Sequence, residues 1–567
     1  MADIAQEYGL AGVWRSVTQN AGEREAVMTL AMVLPIGALI LGFCRGRKPR
    51  SRGRPMTFSS GYMSVGSWPT DIKMPDPLIT AFMFLDSVPQ QAAVEEACSK
   101  MLRYHNFRGL PRCRRLSWCP PWFVSRFEWN DIEVRPSDVI TRVQANGSAE
   151  VLVEMDRVKD APIPRTTSDG RNMPMWSLHI IENTGTVEAG VGSMIVLRVH
   201  HTIGDGMSLV AVAQSVLEAA TGGPIGQGGG NGGRTGSALA NGCKPEGRNL
   251  SNFSVGQILR GVADVISLSS SGPDTPLPFG HFEAPCSGGG SAAARVGLKK
   301  NGKRGIFSRR RRTVLFPDIP LSLVKKIKDA AGVTVNDVVM CLVAGCIHRY
   351  SEAQGAGATI GGPGFRSRSL LTVAMPRTSN SADPADALCN KWAFVSVNLS
   401  VDEKDPAARL AKMKETTANI KGSPTPGLQF MLTDHVLPYL PWVVCREMVH
   451  GALATHTVTV SNVPGPQEAV AFAGVPLRKV HYTVSNLAPQ VSVLSLDGAI
   501  ALNFVIDPIA VADSETLPAH FVAELGALAE KVGIEASAEI SAATEEAAAL
   551  VGLMNAAAKA RPLATQS

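Results

Sequence analysis

His200-His201-Thr202-Ile203-Gly204-Asp205-Gly206 decides how this chain is read. An apolar run at residues 194–199, interrupted only by Arg198, leads into it, and a helix-like stretch at 207–220 follows. The histidines therefore stand where a strand turns into a helix, a place from which a side chain can reach over a sheet edge into a cleft. An imidazole, with an unperturbed pKa near ~6.5, accepts a proton at neutral pH and is the commonest general base. A single histidine at a strand end is more often satisfied by backbone alone. Two adjacent ones, in a chain with only 11, followed by Asp-Gly four residues after the second, point to chemistry instead. His201 is the candidate base, and since neighbouring side chains in extended backbone point to opposite faces, His200 is left to packing or a hydrogen bond. Asp205 has two open roles, orienting the imidazole or forming a structural ion pair that shapes the loop. Gly206 allows close backbone approach at the helix start.

The wider sequence limits what such a site can belong to. A length of 567 residues, 45% of them hydrophobic, suits two lobes better than one core. The ten cysteines show neither zinc nor redox spacing and read as free thiols in a reducing compartment. No G-x-S-x-G is present, which disfavours a serine-elbow hydrolase, and without H-E-x-x-H or a cysteine cluster no metal and no other cofactor is implied.

The net charge of +6 is uneven. Arg45, Arg47, Lys48, Arg50, Arg52 and Arg54 form one basic patch; Arg295, Lys299, Lys300, Lys303, Arg304 and Arg309, Arg310, Arg311 and Arg312 form another, and the rest of the chain is acidic. Two local patches on an acidic body argue against general nucleic-acid binding and for anionic lipid headgroups, although the second patch reads equally as a solvated loop. The first patch follows residues 26–44, which carry no charge. As a helix they would span about 28 Å, close to the hydrocarbon thickness of a bilayer. Pro35 is tolerable there, and the acidic residues Asp3, Glu7, Glu23 and Glu25 before the stretch do not suit a cleaved signal peptide. Basic residues on its C-terminal side place the body in the cytosol and the short N-terminus across the membrane.

The organisation expected is a non-cytosolic segment 1–25, an anchor 26–44, a basic juxtamembrane linker 45–70, a first lobe 71–220, a flexible Gly-rich and basic connection 221–312, a second lobe 313–535 and a helical or flexible tail 536–567. Strand-like runs interleave with helical ones in both lobes, giving α/β. Helical spacing within the connection marks 253–268, and Thr334-Val335-Asn336-Asp337 supplies capping groups for a helix at 334–350.

The motif His-His-x-x-x-Asp-Gly resembles that of chloramphenicol acetyltransferase-like acyltransferases and condensation domains. Pro174-Met175-Trp176, Asn336-Asp337 and Ser461-Asn462-Val463-Pro464-Gly465-Pro466 are similar, in order and spacing, to motifs of the wax ester synthase/diacylglycerol acyltransferase family. Cys389-Asn390 stands where that family has Gly-Asn, which leaves the detail of this loop open. The resemblance, over about residues 75–528, implies two chloramphenicol-acetyltransferase-like lobes meeting at a central tunnel. It implies an O-acyltransferase with a long-chain acyl-CoA as co-substrate and a fatty alcohol or diacylglycerol as acceptor. It also implies a membrane setting, the endoplasmic reticulum or a lipid droplet. By the same resemblance His201 is the base, with no covalent intermediate, and Asp205 is structural, with Arg377 as a candidate partner. Asn336 is either a polar group facing the tunnel or a plain cap, Asp337 stabilises its helix or meets substrate, and Pro174 and Trp176 lie near the acyl channel. Residues 441–444 dock on a membrane or pack in the core. The rival readings are a condensation-type enzyme with another alcohol or amine acceptor and a non-catalytic lipid-binding scaffold.

Overall fold

The computed structural model describes residues 54–64, 76–114, 126–220, 253–279, 311–376, 388–437, 442–486, 488–508 and 510–560. The expected anchor, most of the basic and Gly-rich stretches, and Arg377 lie outside them. Among the described residues no single helix is long and apolar enough to cross a membrane.

Two seven-stranded sheets organise the described residues. The first runs, edge to edge, through Ile140–Ala145, Trp176–Asn183, Ser193–His200, Leu78–Leu85, Val475–Val484, Val470–Phe472 and Glu218–Ala219. The second runs through Ile319–Pro320, Ala499–Ile506, Gln490–Leu496, Val458–Pro464, Arg368–Ala374 and Trp392–Asn398, with Arg312–Leu315 also paired to Ala499–Ile506. A small sheet joins Arg54–Pro55, Arg126–Asp131 and Gly109–Arg114. The α/β class and two sheet-rich lobes are as the pattern of elements predicts.

Local sequence explains the central strands. Ser193–His200 is flanked by strands on both sides and buried on both faces, which is why its run over 194–199 is apolar except for the buried Arg198 rather than alternating. The second sheet alternates. Val458, Val460, Val491, Val493, Leu502 and Phe504 enter the main core, while Thr459, Ser461, Gln490, Ser492 and Asn503 share the opposite face. Three of those polar residues, Thr459, Ser461 and Gln490, line a cavity between the lobes.

Three expectations are corrected, and for the tail the helical alternative holds. The strand Val475–Val484 lies far into the C-terminal half yet pairs with Leu78–Leu85 in the first sheet. A register shift between Leu477 and Lys479 breaks its alternation, and this hid it from periodicity. The tail at 537–560 is one helix, Ser537–Ala560, whose Ala547, Leu550, Leu553 and Met554 join the same core as Val151 and Met155 of Ser148–Asp160. Part of the inter-lobe connection is built in: Val255–Ser270 packs on Thr425–His435 and Trp442–Thr455, and buried Asp274 accepts from Arg368 Nε at 2.6 Å and Thr457 N at 2.9 Å. Finally, Arg311 and Arg312 belong to no solvated basic patch. Arg311 is buried against Asp507, and Arg312 Nη1 donates to Glu515 Oε2 at 2.8 Å.

Candidate active site

The strand Ser193–His200 brings His201, the residue after it, to the cavity edge, and Ile203 N bonding back to His200 O at 2.9 Å turns the chain into the helix Gly206–Val216. Asp205 caps that helix, its Oδ1 accepting from Ser208 N at 3.0 Å. A Cβ at Gly206 would stand 3.0 Å from Val463 Cγ2, so the helix start and the second sheet approach closely at this glycine.

A loop at 388–391 is stitched onto this turn. Lys391 N donates to Asp205 Oδ2 at 2.8 Å, Ser208 Oγ donates to Cys389 O at 2.8 Å, and Asn106 Nδ2 donates to both Ile203 O and Leu388 O, at 2.9 and 3.1 Å. Asn390 completes the clasp. Its Nδ2 donates to His201 O at 2.6 Å and Ser60 Oγ at 2.8 Å, and its Oδ1 lies 2.8 Å from His201 Nδ1.

His201 lines a cavity of about 220 Å³, together with Ile79, Trp392, Phe394, Leu453 and Tyr482. The Trp392 ring meets the imidazole edge-on, with centroids 6.1 Å apart. Burial pushes the His201 pKa below its ordinary 6.5, opposed by the Asp205 charge and by the hydrogen bond that Nδ1 donates to Asn390 Oδ1, so the ring is neutral near pH 7. With Nδ1 turned to Asn390, Nε2 is left to the cavity. Tyr482 Oη donates to Ser461 O at 2.8 Å, and burial raises its pKa, keeping the phenol protonated.

His200 takes the opposite face. It is 1% exposed, its Nδ1 accepts from Thr202 Oγ1 at 2.6 Å, and it does not line the cavity. Burial lowers its pKa to about 3. The other expected residues scatter. Asn336 is exposed and accepts from Asn462 Nδ2 at 2.6 Å, so two motifs meet at a pair of asparagines that does not line the cavity, although Ser461 of the second motif does. Asp337 is corrected to a buried cap: its Oδ2 accepts from Thr334 N at 2.8 Å and its Oδ1 from Thr417 Oγ1 at 2.5 Å. Pro174 and Trp176 are likewise away from the cavity lining. Both are buried, and the Trp176 indole donates to Phe107 O at 2.7 Å, with the two rings edge-to-face. Among the described residues no group of His, Cys, Asp or Glu is arranged to hold a metal ion.

Comparison with known proteins places this arrangement. Residues 169–339 match the family model of the wax ester synthase/diacylglycerol acyltransferase catalytic domain, and residues 388–529 match the WS/DGAT C-terminal domain. The chain belongs to the wax ester synthase/diacylglycerol acyltransferase family. It is thus a member of a family of acyltransferases. Wax ester synthase/diacylglycerol acyltransferase 5 of Arabidopsis thaliana is 25% identical over 427 residues, covering 68% of this chain and 77% of that protein. Among solved structures, the wax ester synthase/diacylglycerol acyltransferase of Marinobacter aquaeolei VT8 superposes with a TM-score of 0.52 at 16% identity, over 85% of this chain and 100% of that one. The first condensation domain of the calcium-dependent antibiotic synthetase gives 0.51 at 16% identity, over 88% and 99%. At such identities these two likenesses speak for the fold alone.

Sequence reading singled out the histidines and Asp205 but passed over Ser60, Trp392 and Tyr482, and noted Asn390 only as a family position. No local pattern marks them, because each acts through a partner distant in the chain.

Proposed function

We propose that this family member transfers a long-chain acyl group from acyl-CoA to a lipid alcohol, a fatty alcohol or diacylglycerol, with His201 as general base. The observation that carries the reading is His201 itself: a neutral imidazole whose Nδ1 faces Asn390 and whose other nitrogen is left to an apolar cavity. Nε2 takes the acceptor's hydroxyl proton as that oxygen attacks the thioester carbonyl. The tetrahedral adduct then collapses, the C–S bond breaks, and the imidazolium returns the proton to the departing thiolate. No enzyme-bound acyl group forms. Apolar walls contributed by Val265, Leu268, Val449 and Leu453 suit an alkyl chain and keep water from the thioester.

The setting proposed is a membrane, with residues 26–44 as a single-pass anchor and the catalytic body in the cytosol, where acyl-CoA is available. Palmitoyl-CoA supplied with competing hexadecanol and diacylglycerol tests the reading. Ester should form from at least one acceptor, and CoA release should depend on the acceptor. His201→Ala should lose ~10²–10⁴ in rate while expression is unchanged. Near-wild-type turnover in His201→Ala, or a stoichiometric acyl-enzyme trapped on denaturation, would refute it.

A further inference from the structure

The helix Phe58–Ser64 lies outside the residues matched by either family model, yet Phe58, Ser59, Tyr62 and Met63 line the same cavity as His201. Its seat is well defined. Ser60 N bonds back to Thr57 Oγ1 at 3.3 Å, Ser59 Oγ donates to Asp434 Oδ1 at 2.8 Å, and Phe58 packs on Tyr62 and Phe127. A Cβ at Gly61 would fall 2.1 Å from Phe127 Cγ, so only glycine lets the helix come this close. Ser60 and Asn390 are both buried where they meet.

We propose that this helix is part of the catalytic apparatus: Ser60 locks the Asn390 carboxamide, and Asn390 fixes the His201 imidazole in the tautomer that can act as a base. The logic is one of donors and acceptors. A backbone carbonyl can only accept, so the Asn390 atom beside His201 O is its NH₂ group. Its second N–H goes to Ser60 Oγ. The Asn390 oxygen therefore faces His201 Nδ1, and Nδ1 must carry the hydrogen. Nε2 is then the bare nitrogen. A flipped carboxamide would set NH₂ against the ring and call for the opposite tautomer, with its proton on Nε2. The His201 carbonyl, which would face the carboxamide oxygen after a flip, opposes it, and Ser60 holds the plane of the carboxamide by taking the second N–H. Asn390 and Ser60 are positioning residues: neither needs to touch substrate.

The inference rests on His201 being the base, and the test separates the two. The titratable and charged groups around His201 are Asp205 on its own turn, Lys391 beside Asn390, Tyr62 on the Ser60 helix, Tyr482 on the adjoining strand, Asp434 behind Ser59, and His200 next to it in the chain. Steady-state kinetics of the full-length enzyme with palmitoyl-CoA and hexadecanol are measured across the neutral pH range. Asn390→Leu should lower kcat roughly 10- to 100-fold with little change in KM, the usual scale when a histidine loses the partner that orients it. Its acid limb should move to lower pH, since a hydrogen bond that favours the imidazolium is gone. Asn390→Asp should move the limb the other way, because a carboxylate at Nδ1 stabilises the cation, while losing the bond to His201 O. Ser60→Ala should lower kcat by a smaller factor, and combining it with Asn390→Leu should cost nothing more, as both act through one ring. A folded Asn390→Leu enzyme with unchanged kcat, or Asn390→Asp with the wild-type pH profile, would overturn the proposal even with His201→Ala inactive. Activity in His201→Ala would instead remove the reading on which it rests.

Discussion

The backbone N–H of Lys391 donates to Asp205 Oδ2 at 2.8 Å, while Asp205 Oδ1 accepts from Ser208 N at 3.0 Å. One carboxylate thus caps the helix after the histidines and holds the loop that brings Asn390 to His201. Orientation of the imidazole passes to Asn390, and Asp205 acts on the ring through its charge.

Asp205→Ala should therefore cost stability first. Loss of an N-cap alone is worth about 0.5–2 kcal/mol, and the clasp to Lys391 goes with it. Asp205→Asn can keep one of the two bonds and should melt between wild type and Asp205→Ala. In both variants the acid limb of kcat/KM should move to lower pH, because the Asp205 charge raises the His201 pKa against burial. Thermal melts read the first effect and pH profiles the second; an unshifted profile in Asp205→Asn would show that the charge does not reach the base.

Acid should weaken the fold through its buried histidines. Burial lowers His200 and His481 to about 3 and His179 to about 4. In the unfolded chain each titrates near ~6.5, so below that pH the unfolded state binds protons that the native state refuses. Stability should fall as pH drops from about 6.5 toward 4, and unfolding should take up protons throughout that window. His481→Gln, which removes one titrating group from a site 2% exposed, should flatten the dependence of Tm on pH. A slope unchanged in that variant would place the acid sensitivity elsewhere.

Ala452 lines the cavity between Leu268 and Leu453, where a larger side chain would fill space proposed for the acyl or alkyl chain. Ala452→Phe should shift preference toward shorter chains. Each methylene denied burial is worth about 0.8 kcal/mol, so a two-carbon shift amounts to roughly tenfold in kcat/KM. Competition between hexadecanol and shorter alcohols, or a series of acyl-CoAs, measures it. An unchanged chain-length profile would mean that the chain runs elsewhere.

Deleting residues 1–53 should release much of the enzyme from membranes while sparing chemistry on micellar substrate, whereas deletion through Ser64 should lower turnover well beyond Ser60→Ala, because the cavity-lining Phe58, Ser59, Tyr62 and Met63 go with Ser60. Protease added to sealed microsomes should reach the catalytic body of the full-length chain. Full protection of the body would put His201 away from cytosolic acyl-CoA and defeat the proposed donor.

Much of the fold was legible because it is local. An apolar run at 194–199 marked Ser193–His200 to within a residue. The capping box of Thr334 with Asp337 and the helical spacing at 253–268, found as Val255–Ser270, follow from hydrogen-bonding groups and periodicity a few residues apart. Arg311 and Arg312 misled because charge was read without depth. In sequence they end a basic run, whereas in the fold two carboxylates and a strand position hold them.

The sequence by itself determined the α/β class, the strand-to-helix turn that carries His201, and the outward-and-inward split of the two histidines. Each depends on backbone geometry over fewer than about ten residues, where alternation, propensity and capping act directly. Only the tertiary structure decided that Val475–Val484 completes the first sheet, that Asp337 is buried against Thr417 and Trp176 against Phe107, and that Ser60 and Asn390 converge on the imidazole. Those pairings join segments from about 70 to about 400 residues apart, and they exist because closing the fold buries polar groups that must then find partners in whatever segment the topology brings alongside.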